Sequence, residues 1–83
     1  MLDEGLWAEV KAGGEHLRLF SEHNAQGVQA SVFDAKNKRW IAPSEPVEDI
    51  DQGKEKATEY AKAYLERLGI ELPPLIWKKS RSV

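Results

Sequence analysis

Gly13-Gly14 stands between two runs that alternate apolar and polar residues, LWAEVKA at 6–12 and EHLRLFSE at 15–22. Nothing else in the chain constrains its fold as much. Two adjacent glycines both adopt the positive φ that a two-residue type I′ hairpin turn requires. Closing that turn between Ala12 and Glu15 sets Val10 opposite Leu17, Ala8 opposite Leu19 and Leu6 opposite Ser21 on one face. The other face then pairs Trp7 with Phe20, Glu9 with Arg18 and Lys11 with His16. A slip of one residue would send every side chain to the wrong side, so this register is strongly specified.

The same test extends along the chain. EHNAQG (22–27) has turn composition, and VQASVFD (28–34) alternates again. A loop closed by Glu22 opposite Gly27 sets Leu19 beside Ala30 and Leu17 beside Val32. Closing DAKNK with Asp34 opposite Arg39 pairs Phe33 with Trp40 and Val32 with Ile41, and brings opposite charges together. Three hairpins thus agree on one division of faces, and they predict strands over about 6–12, 15–22, 28–34 and 39–42. The prolines of APSEPVE (42–48) are expected to end the sheet.

Asp49 and Gln52 have the spacing of a capping box, and the acids around them suit the positive end of a helix. Ala57, Tyr60, Ala61, Tyr64, Leu65 and Leu68 recur at three- and four-residue steps, with Glu55, Glu59, Lys62 and Glu66 outward. Gly69 supplies a left-handed C-cap, with Ile70 folding back on the last turn. A helix is therefore predicted over about 50–68, although Gly53 blurs its start. It covers Leu6, Ala8, Val10, Leu17, Leu19, Val28, Ala30, Val32 and Ile41. The expected architecture is α+β: a two-layer ββββα fold, a four-stranded antiparallel meander with one C-terminal helix on one face and an extended tail over 70–83.

Eighty-three residues suit a single domain spanning 1–83, near the size at which one core suffices. The chain has no cysteine, so disulfides and thiolate metal sites are excluded, and a reducing cytoplasm is the expected compartment. No apolar run approaches a membrane span, and the acidic start MLDEGLWAEV is not a signal peptide. A net charge of −2 decides nothing about nucleic acid in bulk. Its distribution is uneven: EPVEDID (45–51) is acidic, while KNKR (36–39) and KKSR (78–81) are basic, a pattern that solvated loops and helix ends also produce.

One helix leaves the second face of the sheet uncovered. That face carries Trp7, Phe20, Phe33 and Trp40, with Glu9, Arg18, Lys11, His16, Gln29 and Ser31 between them. An exposed aromatic patch of this kind marks an interaction surface. Pro73-Pro74 favours extended chain, so Leu75, Ile76 and Trp77 are candidates to complete that surface. Three covers are open: the chain's own tail, a second copy of the protein, or a single nucleic-acid strand stacked on the rings with Lys11, Arg18, Lys36, Lys38 and Arg39 on its phosphates. Homodimerisation is the reading preferred here, because the chain shows no nucleic-acid-binding signature and its net charge is negative.

Catalytic chemistry finds no footing. His16 and His23 do not converge with carboxylates at ligand spacing, so no metal is expected. Ser21, Ser31 and Ser44 lack a base and an orienting acid, and Gly13-Gly14 opens no phosphate-binding helix. Tyr60 and Tyr64 read as rims of the helix–sheet interface. ASVFDAKNKRW followed by a loop and GKEKATEYAKAYLERLG resembles the strand–helix part of HicB-type antitoxins and of small double-stranded-RNA-binding-like modules, over residues 28–69 at most. The shared feature is the alternation itself; no functional residue carries over and no family is assigned. The expectation is a non-enzymatic binding or assembly module without cofactor, working through Trp7, Arg18, Phe20, Phe33, Trp40, Leu75, Ile76 and Trp77. A nucleic-acid binder is its alternative.

Overall fold

The computed structural model describes residues 5–25 and 27–79. The expected domain limits at 1 and 83, and Ser80 and Arg81 of the basic tail, lie outside the described residues. β1 (Gly5–Ala12), β2 (Glu15–Asn24), β3 (Gly27–Asp34) and β4 (Arg39–Val47) form an antiparallel meander, followed by α1 (Ile50–Arg67). A two-residue β5 (Lys78–Lys79) adds to the outer edge of β1, giving the order β4-β3-β2-β1-β5. The α+β class and the meander-plus-helix plan follow the alternation read from the sequence.

β1 and β2 pair in the register that the glycines dictate, from Gly5 with Glu22 to Ala12 with Glu15. Gly13 and Gly14 have φ of 57° and 83°, both in the region a type I′ turn needs. Ile70 closes over this turn so tightly that a Cβ at Gly13 would lie 2.6 Å from its Cδ1. β2 and β3 differ from expectation. They pair Asn24 with Gly27, Leu19 with Val32 and Leu17 with Asp34, two residues from the predicted register. A two-residue displacement keeps every side chain on its face, which is why alternation alone could not detect it.

β4 departs further. Phe33 faces Trp40 and Asp34 faces Arg39 as expected, but Val32 faces Ala42, because the register shifts between Phe33 and Val32 and Ile41 is the extra residue. A second shift lies between Val32 and Ala30, which faces Glu45. Ala42 therefore takes the buried position expected of Ile41, which packs half-buried at the margin of the core. The strand runs on through Pro43 and Pro46 to Val47 instead of ending at residue 42. β4 is the sheet edge, where a residue without an N–H costs no ladder bond.

The core lies between α1 and one sheet face: Val10, Leu17, Leu19, Ala30, Val32 and Ala42 against Ala57, Ala61 and Leu65. Each of its larger side chains contributes about 2 kcal/mol by leaving water. Asp49 Oδ1 accepts from Gln52 N–H at 2.8 Å, while Gln52 Oε1 accepts from Glu48 N–H, one residue before the cap. Gly53 sits in the first turns because the helix touches β2 there. Ser21, fully buried, donates its hydroxyl to Ile50 O at 2.7 Å, and a Cβ at Gly53 would fall 2.1 Å from Ser21 Oγ. Gly53, Ala57 and Ala61 make a stripe of small residues that lowers the helix onto the sheet.

At the other end Gly69 N–H donates to Glu66 O and Ile70 N–H to Leu65 O, a Schellman closure. Leu68 is the C-cap and is 51% exposed, so it does not join the inward stripe as expected. Ile70 at the Gly13 turn and Lys78 opposite Trp7 mark the two ends of the tail, which runs antiparallel along the outer edge of β1. Leu72, Leu75 and Trp77 pack from it onto the core, and Trp77 borders Asp51, Lys54 and Glu55 of α1. Through Lys79 the tail straps the helix side, and among the described residues it reaches the aromatic face at Lys78, beside Trp7.

Gly53→Ala should lower unfolding stability by about 1–3 kcal/mol in urea denaturation, because neither Ser21 nor the backbone beneath it can yield freely. The same change in a Ser21→Ala background should cost less. Trp77→Ala should also destabilise, by about 2 kcal/mol, which the same measurement reads.

Candidate functional site

The outer sheet face is built in rows set by the register. One row runs Trp40, Phe33, Arg18, Glu9 across β4, β3, β2 and β1. The next runs Ser31, Phe20, Trp7 and ends on Lys78 of β5. The third runs Pro46, Gln29, Glu22, Gly5. Lys11 and His16 pair beyond the first row. The four aromatic residues expected on this face are thus all on it.

Three of them touch. Phe33 meets Trp40 edge-on with centroids 4.9 Å apart, and Phe20 lies 6.1 Å from the same ring. Such geometry adds about 1 kcal/mol beyond area burial. Trp40 is nevertheless 54% exposed, while Phe20, Phe33 and Trp7 are half-buried. Lys78 Nζ stands 5.5 Å from the centroid of Trp7, a cation–π contact that covers one end of the stripe.

Of the remaining sequence-predicted residues, Arg18 belongs to the face, its Nε 3.7 Å from Glu9 Oε2. Leu75 and Trp77 are not brought to it. Both are half-buried against the core on the helix side, and Lys54 Nζ lies 5.8 Å from the Trp77 ring centroid. Ile76, between them, is 74% exposed. Of the five cations offered for phosphate contact, Lys11 and Arg18 lie on the outer face, and the three around the β3–β4 turn separate from it. Arg39 Nε reaches Asp34 Oδ2 at 3.4 Å and Lys36 Nζ reaches Glu15 Oε2 at 3.5 Å, which leaves exposed Lys38 in the turn with φ 57°.

Asp34 faces Arg39 as the sequence predicts, and it organises more of this end of the sheet than that one pairing. Its side chain is fully buried and accepts from the N–H groups of Lys36 and Asn37, from Asn37 Nδ2 at 2.8 Å, from Arg39 Nε, and from the Tyr64 hydroxyl at 3.5 Å. Burial alone would raise its pKa; the bonds from Asn37, Arg39 and Lys36 outweigh it and hold the carboxyl below its ordinary value. The signal was present in the sequence, because an aspartate opening DAKNK is placed to bond the backbone two and three residues on.

Elsewhere the charges also find partners within the chain. His16 Nε2 bonds Glu9 Oε2 at 2.5 Å, which lowers the Glu9 pKa despite some desolvation. Tyr60 donates to Glu45, and this bond raises the phenol's pKa. Among the described residues no group of three or more His, Asp or Glu is arranged to hold a metal ion. No helix of the described residues is long and apolar enough to cross a membrane. A groove of about 550 Å³ beside Trp77, lined by Asp51, Lys54, Glu55, Thr58 and Glu59, is open to solvent, and the Thr58 hydroxyl in it donates to Lys54 O at 2.7 Å.

Sequence reading missed two further members of the face, Glu22 and Pro46. Glu22 was legible by parity with Phe20; Pro46 was not, because prolines hid the second half of β4. Compared with protein-family models, with curated proteins and with solved structures, the chain matches none.

Asp34 gives a pH prediction. Its folded pKa lies below the unfolded value, so its stabilisation is present above the unfolded pKa, about 3.9, and is lost as pH falls through the folded one. Asp34→Asn should therefore be less stable than the parent at neutral pH. The gap between the two should narrow below about pH 4 in parallel urea titrations.

Proposed function

We propose that this protein is a non-enzymatic assembly module that pairs with a second copy of itself through the outer face of its sheet. The observation that carries the reading is the Trp40–Phe33–Phe20 cluster, which neither α1 nor the described tail through Lys79 covers. Burying rings of this size is worth about 2 kcal/mol each, a large gain for a small domain whose stability is about 5–10 kcal/mol. Leu75 and Trp77 stabilise the chain's own core and are left out of the surface; Lys78 borders it at Trp7, and Ile76 is exposed.

The nucleic-acid alternative is weaker on the same geometry. Arg39 and Lys36 are engaged by Asp34 and Glu15, away from the rings, and Glu9 and Glu22 stand on the face where phosphates would pass. The face carries both signs of charge, which suits another protein surface better than a polyanion.

Light scattering on the full chain should give the mass of a dimer, and Trp40→Glu should convert it to a monomer with unchanged circular dichroism. A monomer at submillimolar concentration, together with salt-sensitive quenching of tryptophan fluorescence by single-stranded oligonucleotide, would replace this reading with the other.

A further inference from the structure

Resting on that reading, the arrangement of charge on the face specifies how the second copy docks. Phe20 sits on β2 between Arg18 and Glu22, two residues away on either side and all on the outer face. Both charged side chains lean towards β1. Arg18 reaches Glu9, and Glu22 lies across Gly5, where a Cβ would come 3.0 Å from Glu22 Cγ. We infer that the two copies stack face to face about a two-fold axis running across the strands, along the row of Ser31, Phe20 and Trp7, so that Arg18 of each copy meets Glu22 of the other.

This axis leaves the middle row facing itself, Phe20 on Phe20 and Trp7 on Trp7, and exchanges the rows on either side. Arg18 then opposes Glu22 twice, as an isologous interface requires. Trp40 opposes Pro46, and Phe33 opposes Gln29. Ser31 is only 6% exposed, so the middle row presents Phe20 and Trp7 to the partner. An axis along the strands would instead press Glu9 onto the partner's Trp40, removing a carboxylate from water against an apolar ring at high cost. Charge complementarity therefore selects the first axis. Four strands about 4.8 Å apart and eight residues long present roughly 500 Å² per copy. The pair buries on the order of 1,000 Å², the lower limit for a specific interface, so dimerisation should depend on concentration in the accessible range.

Charge exchange tests the arrangement. Arg18→Glu and Glu22→Arg each place like charges together at both contacts, and each should raise the dimer dissociation constant about tenfold or more. An equimolar mixture of the two variants restores both contacts in a heterodimer, and so does the double variant with itself. Sedimentation equilibrium reads all four, with circular dichroism checking that each variant folds. Recovery of dimer in the mixture is the expected result. If the parent is a dimer and the mixture does not recover, or neither single variant weakens it, the docking geometry is wrong while self-association stands. A parent that is monomeric throughout overturns self-association and this geometry with it.

Discussion

The contact between Gly53 and the buried Ser21 determines how the two layers meet. Ser21 spends its hydroxyl on the carbonyl of Ile50, which satisfies a polar group that would otherwise cost a few kcal/mol in the core and pins the helix start to β2. Only a glycine lets the helix come that close. From this point Ala57, Ala61 and Leu65 descend onto the sheet, and the Schellman closure turns Ile70 over the β1–β2 hairpin. The tail has then to leave from the Gly13 end, which directs Leu72, Leu75 and Trp77 along the β1 edge into the gap beside the helix. Among the described residues the aromatic face is open because Leu72, Leu75 and Trp77 are used on the helix side.

Charge is distributed by the same geometry. Asp34 at the end of β3 gathers the turn, Arg39 and Tyr64 on the helix side, and Glu15 draws Lys36. Arg39, next to Trp40 in the sequence, and Lys36 in the turn are thereby engaged by carboxylates outside the aromatic cluster. The outer face carries both signs of charge, Glu9 and Glu22 with Arg18, Lys11 and Lys78. On the proposed reading, a face of mixed charge is complemented by an oppositely arranged copy of itself.

Much of this was legible before any coordinates. The glycine pair gave the β1–β2 register residue by residue, and Asp34 with Arg39 gave the start of β4. The errors have separate causes. Alternation reports the side a residue faces and is blind to displacement by two, so the β2–β3 register slid by that amount while its faces stayed correct. β4 escaped because its bulges change parity inside a strand already disguised by two prolines. The tail was misassigned for a different reason: Leu75 and Trp77 would suit either apolar surface, and nothing local distinguishes them.

The sequence by itself determined the two faces of the meander, the turn at Gly13-Gly14, the helix and its caps, and the identity of the four rings left on the outer side. These follow from steric rules acting over a few residues, where φ preference and side-chain parity leave one solution. Tertiary structure alone decided the depth at which the helix sits, the continuation of β4 along the edge, the partners of Asp34, and the side the tail covers. Each of those depends on distances between segments remote in the chain, set by packing volume at Ser21, Gly53 and Gly13, and the order of residues along the chain does not encode such distances locally.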